Sequence, residues 1–121
     1  MSRLDDLNHV LRQLQAQTPD VEASALISED GLIIASALPQ HVEEVRVAGI
    51  SSVLLSLGQR AAHELGRGEP DEVIIRGAQG YVIMVAATPG TLLLLLAGRD
   101  AKLGLVFLDV GRAVQQIKKI L

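Results

Sequence analysis

Residues 91–98 read TLLLLLAG, five consecutive leucines that follow a Pro89-Gly90 turn and end at Gly98. Such a run has three readings: a membrane segment, an exposed adhesive strip, or the most buried strand of a small domain. A bilayer span needs ~20 apolar residues. With Ala97 this run reaches only six. Thr88, Pro89 and Gly90 turn the chain into the run, which marks it as a strand. A strand covered on both faces has no reason to alternate, so continuous leucine is what that position permits. Leucine suits strands less well than β-branched residues do, so burial must override propensity here.

Working outward, EVIIR (72–76) and YVIMVAA (81–87) are separated by Gly77–Gly80 and make residues 72–97 a three-strand meander. Upstream, VEASALIS and LIIASAL flank Glu29-Asp30-Gly31, a hairpin signal that predicts strands over 22–28 and 32–37. Both runs are apolar on two faces, which again implies cover on both sides of the sheet. SRLDDLNHVLRQLQAQ places Leu4, Leu7, Leu11 and Leu14 on one helical stripe. Ser2 is its N-cap and Asp5 closes a capping box, while Pro19 ends the helix. Residues 41–66 form the longest helical period and end at Gly66, a C-terminal cap. Along it Val47, Ile50, Leu54, Leu57, Ala61 and Leu65 share one arc, which is expected to face the sheet. Roughly opposite lie Val45, Ala48, Gly49, Ser52, Ser56, Gln59 and His63, a mostly small face that admits a second helix. A last amphipathic helix begins at Asp100 as N-cap and carries Leu103, Val106, Phe107, Val110, Val114, Ile117 and Leu121 on one side. The order is helix, two strands, helix, three strands, helix, in a single domain over 1–121.

Composition excludes several functions. A formal charge of −3 with only Tyr81 and Phe107 as aromatics leaves no footprint for nucleic acid. There is no cysteine and hence no thiolate chemistry. His9, His41 and His63 lie at no metal-ligand spacing. Neither GxxxxGK[ST] nor GxGxxG occurs, and Gly66-Arg67-Gly68 follows a helix and precedes a strand, the wrong order for a phosphate cradle. Ser51, Ser52 and Ser56 run along a helix with no nucleophile-elbow setting. These absences argue for a non-enzyme without cofactor or metal. MSRLDDLNHV has acidic residues where a secretory apolar region would lie, so a cytoplasmic protein without membrane insertion is expected. An apolar content of 49% with thinly spread charge points to a surface used by a protein partner.

LDDLNHVLRQL, VEASALISEDGLIIASALP, SSVLLSLGQRAAHELG, EVIIRGAQGYVIMVAATPGTLLLLLAG and AKLGLVFLDVGRAV together resemble the roadblock family, which includes dynein roadblock light chains and bacterial gliding regulators. The resemblance covers nearly the whole chain and rests on the combination of strings. It implies an α/β (α+β) profilin-like three-layer sandwich, element order αββαβββα. Its five-stranded antiparallel sheet has order 2-1-5-4-3, with two helices on one face and the long helix on the other. It also implies a homodimer joined through the long helices and third strands, acting as a platform for small Ras-like GTPases or motors. On this chain the expected dimer interface is Val45, Gly49, Ser52 and Ser56 with Val73, Ile74 and Ile75, and the expected partner-binding residues are Arg60, His63 and Glu64. Unpaired, EVIIR would be an exposed edge strand, a second reason for a partner. The functional expectation is a GTPase-binding regulatory module that modulates hydrolysis. Its alternatives are a structural adaptor without effect on nucleotide turnover and a small-molecule-sensing domain, the latter disfavoured by inward positions filled with Leu, Ile and Val.

Overall fold

A computed structural model describes residues 2–121. Helix α1 spans Arg3–Gln17, β1 Val21–Ser28, β2 Ile33–Ala37, α2 Glu44–Glu64, β3 Glu72–Gly77, β4 Gly80–Thr88, β5 Thr91–Gly98 and α3 Leu103–Ile120. All neighbouring strands pair antiparallel, in the order β2-β1-β5-β4-β3. The element order read from the sequence, and the strand order that the resemblance implies, are those observed. No helix among the described residues is long and apolar enough to cross a membrane.

The leucine run sits where the reading above places it. As β5 it is the central strand, paired with β1 and β4. Leu93 and Leu95 point into a core built with Leu7, Leu11 and Leu14 of α1 and Val106, Val110 and Ile117 of α3. Leu92 and Leu94 point the other way, into a second core with Ala25, Ile27, Met84 and Ala48 of α2. Both cores are closed at this strand, so alternation of polarity would only introduce buried polar groups.

Local signals set most element ends. Asp5 N donates to Ser2 Oγ at 3.1 Å, and Ser2 N donates to Asp5 Oδ2 at 3.3 Å, the reciprocal capping box at the start of α1. Ser2→Ala removes the Oγ that accepts from Asp5 N and leaves that helix N–H without its cap, and a thermal melt should register a loss of about 1 kcal/mol. At the other end of α2, Gly66 takes φ +71°, Arg67 N donates to Ala62 O at 2.7 Å and Gly66 N to His63 O at 3.1 Å. This is the paired hydrogen-bond pattern of a helix stop that favours glycine.

Three expectations need correction. The helix expected from residue 41 starts at Glu44, because Val42 N donates to Pro39 O and holds a turn first. Asp100 is not the N-cap of the last helix. Ala101 N donates to Gly98 O in a turn, so the helix starts at Leu103, and Asp20 from the α1–β1 loop accepts from Lys102 N at 3.1 Å. The third correction concerns α2. Its arc of larger apolar residues does not face the sheet as a whole: Ile50 is 53% exposed, Leu57 56% and Leu65 71%, while Val47 and Leu54 are half-buried. Ala48 and Ser51 are the buried residues of the helix. Small side chains let α2 lie close on the strands, and this close approach turns the larger arc partly outward.

Candidate functional site: the outer face of α2 and the β3 edge

Register fixes how α2 lies on the sheet. Ser36, Ala25, Leu94, Met84 and Val73 are paired in sequence from β2 to β3 and form one row across all five strands. Helix α2 crosses along this row. At one end Ser36 Oγ donates to Glu44 Oε1 at 2.8 Å. At the other, a Cβ added to Gly58 would lie 2.7 Å from Val73 Cγ2, so the helix backbone rests on β3 there. Four strand spacings are about 19 Å, and fourteen helical residues rise about 21 Å. The helix therefore runs nearly perpendicular to the strands, and residues beyond Gly58 reach toward and past the sheet edge.

The outward surface of α2 carries Ile50, Val53 and Leu57, all largely exposed, with Arg60, Ala61 and Glu64 following. One flank of the helix borders an apolar cleft of about 140 Å³ lined by Val47, Ile50, Leu54, Val82, Leu94 and Leu96 among others. The other flank meets the β1–β2 turn, where Ser52, Ser56 and Gln59 line a polar cleft with Glu29 and Asp30.

The expected interface residues fall in different places. Val45 and Gly49 are exposed on α2, and nothing lies within 4 Å of a Cβ built on Gly49. Ser52 is half-buried, its Oγ 3.1 Å from where a Gly31 Cβ would sit, so it packs against the hairpin turn. Ser56 is exposed on that same flank. Val73 is half-buried under α2, whereas Ile74 and Ile75 are exposed on the edge strand, which pairs only with β4. The structure thus brings Val73 and Ile75 to the α2 side of the edge and puts Ser52 and Ser56 at the hairpin side. Ile50, Val53, Leu57 and Leu65 were not singled out for this surface. The signal that marks them is the small-residue series Ala48, Ser51, Gly58 and Ala62, which identifies the sheet-facing side by exclusion.

Arg60, His63 and Glu64 are exposed near the end of α2. Arg60 Nε donates to Glu64 Oε1 at 3.0 Å. His63 Nε2 lies 2.8 Å from Glu69 Oε2, and Gln59 Nε2 donates to the other oxygen of the same carboxylate at 3.2 Å. Glu69 is thereby held by two side chains of α2, which ties down the loop that leads into β3. Surface pairs of this kind are worth at most about 1 kcal/mol. Two of the three serines of α2 are engaged with their own helix: Ser51 Oγ donates to Val47 O at 2.7 Å and Ser52 Oγ to Gly49 O at 3.2 Å. Among the described residues no group of three or more His, Asp or Glu is placed to hold a metal ion.

Comparison with known proteins gives the following. The family model of the Roadblock/LC7 domain matches residues 7–97. An uncharacterized protein of Methanocaldococcus jannaschii is 33% identical over 112 residues, covering 93% of this chain and 96% of its own length. Among solved structures, Myxococcus xanthus MglB has a TM-score of 0.89 at 21% identity, covering 99% of this chain and 90% of that one. A Roadblock/LC7 domain from Streptomyces avermitilis has a TM-score of 0.86 at 24% identity, covering 93% and 94%. At these identities the two structures speak for the fold.

Proposed function

The chain belongs to the Roadblock/LC7 family, and on that premise we propose that it is a homodimeric regulatory module that binds a small Ras-like GTPase and modulates its GTP hydrolysis in the cytoplasm. Members of the family are generally regulatory or adaptor proteins rather than enzymes. The observation that carries the proposal is the exposed apolar and polar face of α2 beside an unpaired edge strand. Ile50, Val53 and Leu57 are too large and too exposed to be explained by the chain's own core. An edge such as β3, with Ile74 and Ile75 exposed, is a template for pairing with another strand. In this reading β3, through Val73, Ile74 and Ile75, joins two copies, and α2 contributes to both self-association and partner contact.

Arg60, His63 and Glu64 are the proposed contacts to the GTPase. They act by holding the GTPase's own switch segments in one arrangement, so the module shifts a population and adds no reacting group. The test is GTP hydrolysis by a candidate GTPase with and without this protein, followed by alanine replacements at the three positions. Because their native bonds are exposed, the variants should melt within about 0.5 kcal/mol of the parent. Loss of affinity by roughly tenfold is expected, and unchanged affinity removes these residues from the contact. Binding that leaves the hydrolysis rate unchanged identifies the module as a structural adaptor instead.

A further inference from the structure

We propose that the outward ridge of α3 docks this chain on the surface of an anionic lipid bilayer, lying on it and not across it. The buried side of α3 is Val106, Val110, Ala113, Val114 and Ile117. On the opposite side Leu105, Leu108, Arg112, Gln115 and Lys119 follow one another at spacings of three and four and are all exposed, which makes them one continuous stripe of the helix. Leu105 is 55% exposed and Leu108 54%. Gly104 and Gly111, on either side of Leu108 along the helix, have nothing within 4 Å of an added Cβ, so that leucine stands clear of its neighbours.

An exposed apolar face stands on each side of the sheet, and charge tells the two apart. Around the α2 face are Glu43, Glu44, Glu64 and Glu69, with Glu29 and Asp30 at the hairpin turn. Residues 102–121 carry the opposite sign: Lys102, Arg112, Lys118 and Lys119 against Asp109 alone, in a chain whose formal charge is −3. Lys102 lies one turn before Leu105 and Arg112 one turn after Leu108, so cations bracket the leucine pair. Among the described residues Lys102, Lys118 and Lys119 have no ion-pair partner. Asp109 is turned to the α1 flank, where Thr18 Oγ1 donates to its Oδ2 at 2.7 Å and Arg112 Nη1 lies 3.6 Å from Oδ1. Of the other carboxylates in this layer, Asp5 is closed into the capping box, Asp20 accepts from Lys102 N, Asp6 lines the α1–α3 groove with Lys119, and Asp100 stands in the turn before the helix. The ridge itself carries no negative charge.

Shape decides between a membrane and a protein partner. Leu105 and Leu108 line none of the clefts at α2 or between α1 and α3, so the ridge is convex and offers no pocket to a partner's side chain. Protein interfaces seat their strongest contacts in such pockets. A fluid bilayer needs none: leucine tips enter between the headgroups while the Lys and Arg stems keep their charges at the level of the phosphates. The negative surface potential attracts each cation that comes within a Debye length. Docking through α3 leaves the outer face of α2 free on the opposite side of the sheet, so it neither needs nor excludes the GTPase contact proposed above.

Flotation with vesicles tests the docking. The unmodified chain should float with vesicles of phosphatidylcholine and phosphatidylglycerol in equal parts and not with phosphatidylcholine alone, and added salt should weaken the binding. Each cation close to an anionic surface contributes roughly fivefold, so the double variant Arg112→Glu, Lys119→Glu should lower the partition constant at least tenfold. Leu105→Ser with Leu108→Ser should lower it roughly tenfold. All four positions are exposed, so both variants should keep the parent's circular dichroism and melting. Arg46→Glu reverses an exposed charge on α2 instead and should float like the parent. No flotation with the anionic vesicles, equal flotation with the neutral ones, or as large a loss in Arg46→Glu as in the ridge variants overturns the proposal. Retention of the parent on immobilised polyglutamate without flotation also overturns it, and gives the ridge to an acidic protein surface.

Discussion

Replacing Leu94 by Asp leaves a chain that does not fold. Leu94 is 2% exposed in the central strand, opposite Ala25 on one side and Met84 on the other, and it packs in the core beneath α2. Removing the leucine bulk costs about 3 kcal/mol. Burying a carboxyl group with no partner adds several kcal/mol even when the group stays protonated. A domain of this size has roughly 5–15 kcal/mol in total, so most or all of the stability is gone. Far-ultraviolet circular dichroism of refolded material should show no native spectrum, and expression should give insoluble protein. Leu32→Asp, at a largely exposed position beside the hairpin turn, is the matched control and should fold and melt like the parent. A folded, soluble Leu94→Asp chain would mean that β5 is not the centre of the sheet.

That experiment bears on the part of the molecule most legible in the sequence. Continuous leucine in β5, the Glu29-Asp30-Gly31 hairpin and the Ser2–Asp5 capping box each depend on residues close together in the chain, and each is observed. The α2 surface was less legible for a physical reason. The helix has apolar residues over most of its circumference, so periodicity alone identifies a helix and not which side is inside. Distance of approach decides that, and it is set by residues such as Gly58 against Val73, a contact between segments fifteen residues apart in sequence. The same holds for Asp20, which reaches the start of α3 from across the fold and so makes Asp100 unnecessary as a cap. The polar residues Arg60 and His63 were legible as exposed, but their ties to Glu64 and Glu69 depend on side-chain geometry and on the path of the loop into β3.

Glycine poses the same problem of legibility at single positions, and one of them carries the second large effect: Gly80→Ala should lower the melting temperature by about 10 °C or more. Gly80 starts β4 at φ +154°, and a Cβ there would lie 2.5 Å from Ala97 O. That oxygen belongs to the backbone of the neighbouring central strand, where Gly80 pairs with Gly98 and Tyr81 with Ala97. It cannot give way without opening the β4–β5 ladder. Backbone strain and overpacking each cost about 1–3 kcal/mol, and here they act together. Gly77, four-residue turn partner of Gly80, tests whether the cause is local contact, since its Cβ would meet Gly80 O at a less severe 3.3 Å. Gly77→Ala should therefore lose much less. Gly49→Ala goes the opposite way, because its site in α2 is open and alanine is the better helix former by about 1 kcal/mol. Differential scanning calorimetry of the three variants should order them Gly49→Ala above parent, Gly77→Ala near it and Gly80→Ala far below. If Gly80→Ala melts with the parent, β4 and β5 are not held at the separation that fixes the hairpin, and the edge strand β3 loses the rigid neighbour on which its exposed row of backbone groups depends.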